Sequence, residues 1–329
     1  MNFMFQKTPL VSTTDNALKS LAIYHITIWF MTIAALIIQA VLGPRFFVFG
    51  FMQVLVGVTF SAIIVIIKNL IKGEEYSHYQ DYFKPITYGL LAALLLPVQS
   101  PIYMIIIVVI LTNILEIVFQ KLFQKNIMHP VLLSILVVTL IFRESLVIPE
   151  TMINIFQSES FAVGRIRLFL GTYEGLTLGT SAFVILGLLW IYLSVGKIID
   201  LKITLWYLIH LFLMVILYTI FTPQSFINLF NNVILGYTLF TLVFFIGEPT
   251  ATPETRQLKA VFPFLVAVIT VLLRLEYDII EAALYATVFA QFLTWLIEQT
   301  QFRYSQRRLW IARGIVVVLW IALIVVTIR

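Results

Sequence analysis

Long apolar runs separated by short polar turns repeat along the chain. They fall at 21–42, 46–67, 86–97, 101–120, 129–142, 180–196, 203–221, 229–247, 259–273, 279–297 and 309–328. A bilayer core about 30 Å thick takes about 20 helical residues, so most of these runs read as transmembrane helices. Stretches such as TYGLLAALLLP and PIYMIIIVVILTNILEIVF lack the every-second-residue polar alternation of a barrel strand. Where no water can satisfy the backbone, helices are then the remaining way across. The pattern predicts an all-α polytopic transmembrane helical bundle of about 10 to 11 spans.

Two runs, 86–97 and 129–142, are too short to cross as ordinary helices. Short apolar segments inside a bundle predict half-helices or re-entrant pieces; a tilted neighbour covering a gap is the plainer alternative. The run 86–97 passes Gly89 and stops at Pro97, and 229–247 passes Gly236 and stops at Gly247 and the turn GEPTATPET. Two apolar runs that halt at Pro-bearing turns, in similar places of the two halves, hint at pseudo-repeated halves, with a site near mid-membrane between them. Residues 1–20 read as a cytoplasmic segment, 21–308 as the membrane domain and 309–329 as an extra C-terminal span. Segment 143–179 is the longest loop, and 68–85 is a mixed-charge aromatic loop suited either to docking or to plain solvation.

Charge fixes an orientation. Alternating crossings put fifteen of the 21 Lys and Arg residues on one side, among them Lys7, Lys68, Lys84, Lys121, Lys202 and Arg307. Only Arg45, Arg143, Arg165, Arg167, Arg274 and Arg329 fall on the other. Basic residues in short loops mark the cytoplasmic side, so the N-terminus reads as cytoplasmic and the C-terminus as outside. Composition agrees with lipid as solvent: 61% of residues are hydrophobic, 11% are charged, and mean hydropathy is +1.03. The net charge of +5 is spread over those loops and does not point to nucleic acid. With no cysteine, disulfides and thiolate-ligated iron–sulfur clusters in this chain are excluded. The N-terminal stretch lacks the apolar core and small-residue cleavage site of a signal peptide.

Candidate chemistry sits at few positions. Glu116 lies inside a span with Asn113 one turn before it. An intramembrane acid is costly and marks an ion or proton pathway by default, although it lies near enough to the cytoplasmic end to snorkel. Gly171, Gly175 and Gly179 recur every fourth residue before Thr180 and Ser181. This is a small-residue packing face with ordinary helix caps, or a helix entrance whose free N–H groups take a phosphate. Glu248 and Pro249 head a turn with a second proline, Pro253. His25, His78, His129 and His210 are not spaced as helical metal-ligand pairs.

Three segments resemble a known family. These are ITYGLLAALLLPVQSPIYMIIIVVILTNILEIVFQKLFQKNIMHPVLL at 86–133, GTYEGLTLGTSAFVILGLLWIYL at 171–193 and FFIGEPTATPETRQLKAVFPFLVAVITVLLR at 244–274. In order and spacing they resemble the RnfD/NqrB family, membrane subunits of the Rnf ferredoxin:NAD oxidoreductase and of the sodium-pumping NADH:quinone reductase. Asn126 and Pro130 stand in the family's glycine-rich motif after the fourth span, although its glycines are Lys121, Leu122 and Gln124 here. Gly171, Gly175, Thr180 and Ser181 agree with the second motif; Pro249 and Pro253 agree with the third, where Glu248 replaces Asp.

The resemblance implies a membrane subunit of a flavin-linked transmembrane electron-transfer complex, possibly coupling to Na⁺ or H⁺ movement, in a bacterial cytoplasmic membrane. It implies FMN, joined through phosphate to a threonine of an external loop. The attachment string is absent, and Thr151 in PETMI stands near its place. Implied partners are other membrane redox subunits and an external flavoprotein. A small-solute or ion transporter or channel, or a scaffold recruiting such a flavoprotein, are the alternative readings.

Overall fold

A computed structural model describes residues 14–72, 80–98, 100–123, 126–142, 177–180, 183–222, 225–234, 237–248, 252–253, 255, 257–277 and 279–299. The chain forms two compact units, Val11–Ile198 and Ile199–Arg329 joined by Met1–Leu10. Ten of the eleven predicted spans fall on described helices; the run 309–328 lies outside the described residues.

The first unit holds α1 (Thr14–Leu42), α2 (Pro44–Lys72), α3 (Gln80–Leu95), α4 (Ile102–Phe123), α5 (Pro130–Ile141) and α6 (Phe183–Val195). Gly43 adopts φ +153 and Pro44 opens the next helix. Glycine is the residue that tolerates such a φ, and proline suits a first helical position whose N–H needs no partner. Helix α1 turns Ile26, Phe30, Ile33, Ile37 and Val41 outward as one apolar stripe. Such a stripe fits lipid and not water. Helix α3 is different: Leu90 to Leu96 are all buried. A segment apolar all round belongs inside a bundle, and α3 packs against α1, α2 and α4.

Helix α3 stops short. Its run ends at Pro97, whose carbonyl accepts from Gln53 Nε2 at 2.6 Å. Gln53 is the tenth residue of α2, so at a rise of 1.5 Å per residue the end of α3 lies about 13 Å along α2 from its start. Thr177 pairs with Pro97, and Gly179 N–H donates to Leu94 O at 2.8 Å. Leu178 stacks where Gly50 of α2 has no side chain; a Cβ there would lie 2.9 Å from Leu178 Cδ2. The short-helix reading of 86–97 thus describes α3, and α5 is also short, at 12 residues. Helix α2 extends past its predicted end and α3 begins before its predicted start, so most of loop 68–85 is helical; Tyr76 and His78 lie outside the described residues. Polar residues at the water-facing ends of spans cost nothing by staying helical, which is why hydropathy underestimates helix length there.

The second unit holds α7 (Leu201–Phe221), α8 (Phe226–Ile234), α9 (Tyr237–Thr241, continued as a π-helical turn Leu242–Ile246), α10 (Leu258–Leu275) and α11 (Ala282–Gln299). The predicted span 229–247 is broken: α8 and α9 meet at a bend of 52° near Gly236. Thr238 Oγ1 donates to Val233 O at 2.6 Å, and Arg274 Nε donates to Asn232 O at 3.0 Å. Both carbonyls belong to the end of α8, where no helical N–H follows, and a cation suits that negative end of the helix dipole. Tyr237 to Gly247 are buried throughout, with Phe240 and Phe244 centroids 4.7 Å apart.

Five helices are long and apolar enough to cross a membrane, and the bent α8–α9 pair makes a sixth. The remaining four, α3, α5, α6 and α11, are shorter apolar helices. Within each unit, contacts join segments that alternating crossings place on one side: Pro97 with Thr177, Glu116 with Lys84, Asp200 with Gly247 and Lys259, Arg274 with Asn232. The molecule is a multi-pass membrane protein.

Gly57 and Gly89 bring α2 and α3 into backbone contact, and a Cβ on Gly57 would sit 2.6 Å from Gly89 O. Gly57→Val therefore lowers stability by roughly 1–3 kcal/mol through overpacking, seen as a lower thermal midpoint in detergent. Gly187→Ala, where a Cβ meets nothing within 4 Å, leaves the midpoint unchanged.

Candidate functional site

The densest polar group in the first unit gathers at one end of α3, α4 and the entry to α5. Lys84 and Tyr88 lie one turn apart on α3; Asn113, Glu116 and Gln120 share a face of α4 at spacings of three and four. Lys84 Nζ forms an ion pair with Glu116 Oε1, with side-chain exposures of 38% and 17%. The Tyr88 hydroxyl donates to the same oxygen at 3.5 Å. The Lys84 ammonium also stands 5.8 Å from the Tyr88 ring centroid. Buried His129 meets Tyr88 edge-on at 5.9 Å. Gln120 Nε2 donates to Asn126 Oδ1 at 3.4 Å, and Asn113 returns its amide to Val109 O at 2.8 Å.

Glu116 is thus a carboxylate held between an ammonium and a phenol, with an imidazole behind the phenol. Such a group can exchange a proton or a small cation with water at the membrane edge. Of the sequence candidates, Asn113, Glu116 and Asn126 come together here, with Pro130 opening α5 beside His129. Lys84 and Tyr88 were hidden from sequence reading because Lys84 counts there as a loop residue. The signal available was their spacing of four, which matches the facing of Asn113 and Glu116 once α3 is extended backwards.

The turn before α6 is tied to the far end of α3. Thr177 Oγ1 and Thr180 Oγ1 are 2.9 Å apart, Thr180 N–H donates to Thr177 Oγ1 at 3.2 Å, and Gly179 N–H is taken by Leu94 O. A phosphate cradle needs outward N–H groups; those of Gly179 and Thr180 point into the protein's own hydrogen bonds, so this turn does not fit a flavin phosphate. Thr151, Gly171, Gly175 and Ser181 lie outside the described residues, as does Pro249.

In the second unit Gly247 closes the π-helical turn against Ile199 and Thr204, whose side chains would lie 2.9 and 2.8 Å from a Cβ there. Its carbonyl accepts from Asp200 N–H at 3.0 Å, and Asp200 pairs with Lys259 at 3.3 Å. Glu248 follows directly, next to this ion pair's element, half-buried. Tyr207 of α7 sets its hydroxyl among Thr238 and Thr270 in the interior of the same unit.

The histidines stand apart. His25 Nδ1 lies 2.7 Å from Thr87 Oγ1, and Trp29 Nε1 donates to His25 Nε2 at 2.9 Å. An indole can only donate, so Nε2 is the acceptor and the proton sits on Nδ1, facing Thr87. Among the described residues no group of three His, Asp or Glu side chains is placed to hold a metal ion.

Removing Lys84 strands the Glu116 charge in a half-buried site. Lys84→Met lowers stability by roughly 1–3 kcal/mol, and Lys84→Met with Glu116→Met recovers most of that loss, because the uncompensated charge is gone. Thermal midpoints of the two variants in detergent check this.

The model of the family described as NQR2, RnfD, RnfE matches residues 16–305, which leaves the C-terminal run 309–328 beyond the match. No curated protein matches the chain significantly. The match spans both compact units, the Glu116 cluster and the broken α8–α9 helix. The chain belongs to the NQR2, RnfD, RnfE family of membrane subunits of multi-subunit electron-transport complexes.

Proposed function

We propose that this chain is the membrane subunit of a flavin-linked complex that passes electrons across a bacterial cytoplasmic membrane and couples their passage to Na⁺ or H⁺ movement. The family match over residues 16–305 carries this reading. Its N-terminus lies in the cytoplasm by the bias of its basic residues. Its partners are other membrane redox subunits and an external flavoprotein.

In this reading α3 and the α8–α9 pair form the interior of the two units and bring protein dipoles to membrane depth. The Lys84–Tyr88–Glu116 group is the cytoplasmic mouth of the ion path, with Asn113 one turn further in. Glu116 accepts the ion or proton there, Lys84 balances the charge when none is present, and the Tyr88 hydroxyl steadies the carboxylate. FMN supplies one-electron chemistry when bound. Because the Gly179–Thr180 turn does not fit a phosphate, a flavin carried by this chain is held elsewhere, with Thr151 the attachment candidate, or it resides on a partner.

Two measurements test the proposal. The complex, gently solubilised with its partners co-expressed, shows a flavin absorption spectrum. In denaturing gels the flavin fluorescence of this chain disappears in Thr151→Ala if attachment is there. In liposomes, Glu116→Gln keeps electron transfer to a trapped acceptor but lowers the coupled ion uptake at least about tenfold, a loss of about 1.4 kcal/mol in transition-state stabilisation. No flavin in any subunit would refute the redox role; solute or ion flux without an electron donor would favour a carrier.

A further inference from the structure

We infer that the outer face of α7 around His210 is the seat of a transmembrane helix from a partner subunit, one that presents a hydrogen-bond donor at mid-membrane depth. His210 is the tenth residue of the 21-residue α7, about 14 Å from its start by helical rise, close to the middle of a ~30 Å core. Trp206, Ile209, Phe212 and Leu213 around it are exposed apolar residues.

The chemistry of the ring defines what must come. His210 Nδ1 lies 2.6 Å from Trp206 O. A carbonyl only accepts, so the proton sits on Nδ1 and the neutral ring leaves Nε2 as a lone-pair acceptor. Nε2 has no partner in the chain and is not among its fully buried polar atoms, so it opens on the surface. Phe264 of α10 meets the ring edge-on at 5.3 Å and supplies no donor.

His25 shows the contrast. There an indole N–H from the same helix fills Nε2 and a threonine faces Nδ1. At His210 the corresponding acceptor faces hydrocarbon. Lipid tails offer no donor, and polar side chains at this depth bind helix to helix. The occupant is therefore a helix bearing a Trp, Asn, Gln, Ser or Thr donor opposite His210. This rests on the family's assembly into multi-subunit complexes and not on flavin or ion coupling, so it stands or falls separately.

The chain has no cysteine, so a single Leu213→Cys substitution carries a photo-crosslinker without background. Ile110→Cys, exposed on α4, is the control. In the intact complex in native membranes, the labelled Leu213→Cys variant yields a covalent adduct with a transmembrane peptide of another subunit, identified by mass spectrometry. The labelled Ile110→Cys variant does not yield that adduct. Adding His210→Leu to Leu213→Cys lowers the adduct's yield about tenfold, the loss of one interhelical hydrogen bond, while His210→Gln, which keeps an acceptor, restores it. Adducts with lipid or a quinone alone, with a second copy of this chain, or with yields independent of residue 210 would overturn the assignment. Monodisperse elution of each variant separates these outcomes from misfolding.

Discussion

Every backbone end inside the bilayer must be answered by protein, because hydrocarbon offers no hydrogen bond. That constraint shapes both units. Where α3 ends at membrane depth, Gly179 N–H takes Leu94 O and the Gln53 amide takes Pro97 O. Where α8 breaks, the Thr238 hydroxyl takes Val233 O and the Arg274 guanidinium takes Asn232 O. Where the π-helical turn closes, Asp200 N–H takes Gly247 O. Five donors from five places in the sequence make three interrupted helices possible. A short helix in this fold is a local choice by the chain with a distant answer.

The same constraint sorts helices by exposure. Long helices such as α1 turn apolar stripes outward, whereas the short segments Leu90–Leu96 and Tyr237–Gly247 are enclosed on all sides. Enclosure needs close backbone approach, which explains the glycines at crossings: Gly57 against Gly89, and Gly247 against Ile199 and Thr204. Polar chemistry then collects where enclosed segments meet water-facing ends, at Lys84, Tyr88 and Glu116.

Hydropathy made the helices legible, since an apolar run of bilayer length has one stable form in lipid. The shortness of 86–97 and 129–142 was legible too, and so were Gly236 and the Pro-bearing turns as interruptions. What the sequence hid were partners across distance. Nothing local to Glu116 names Lys84, 32 positions earlier, as its counter-ion, and nothing near Gly179 shows its amide bound to Leu94 O. Pairings between helices depend on crossing geometry, which side-chain periodicity does not encode. The π-helical turn at Leu242–Ile246 was equally hidden, because one added residue in a uniformly apolar run leaves no compositional trace.

The Lys84–Glu116 pair has one further consequence. Opposite charges in contact form a small dipole, and a transmembrane voltage does almost no work on a dipole of that size. A single charge crossing the whole field is another matter, at about 2.3 kcal/mol per 100 mV. A cation or proton arriving at Glu116 releases Lys84 as a net positive charge, so the spot turns from electrically silent to voltage-sensitive only when loaded.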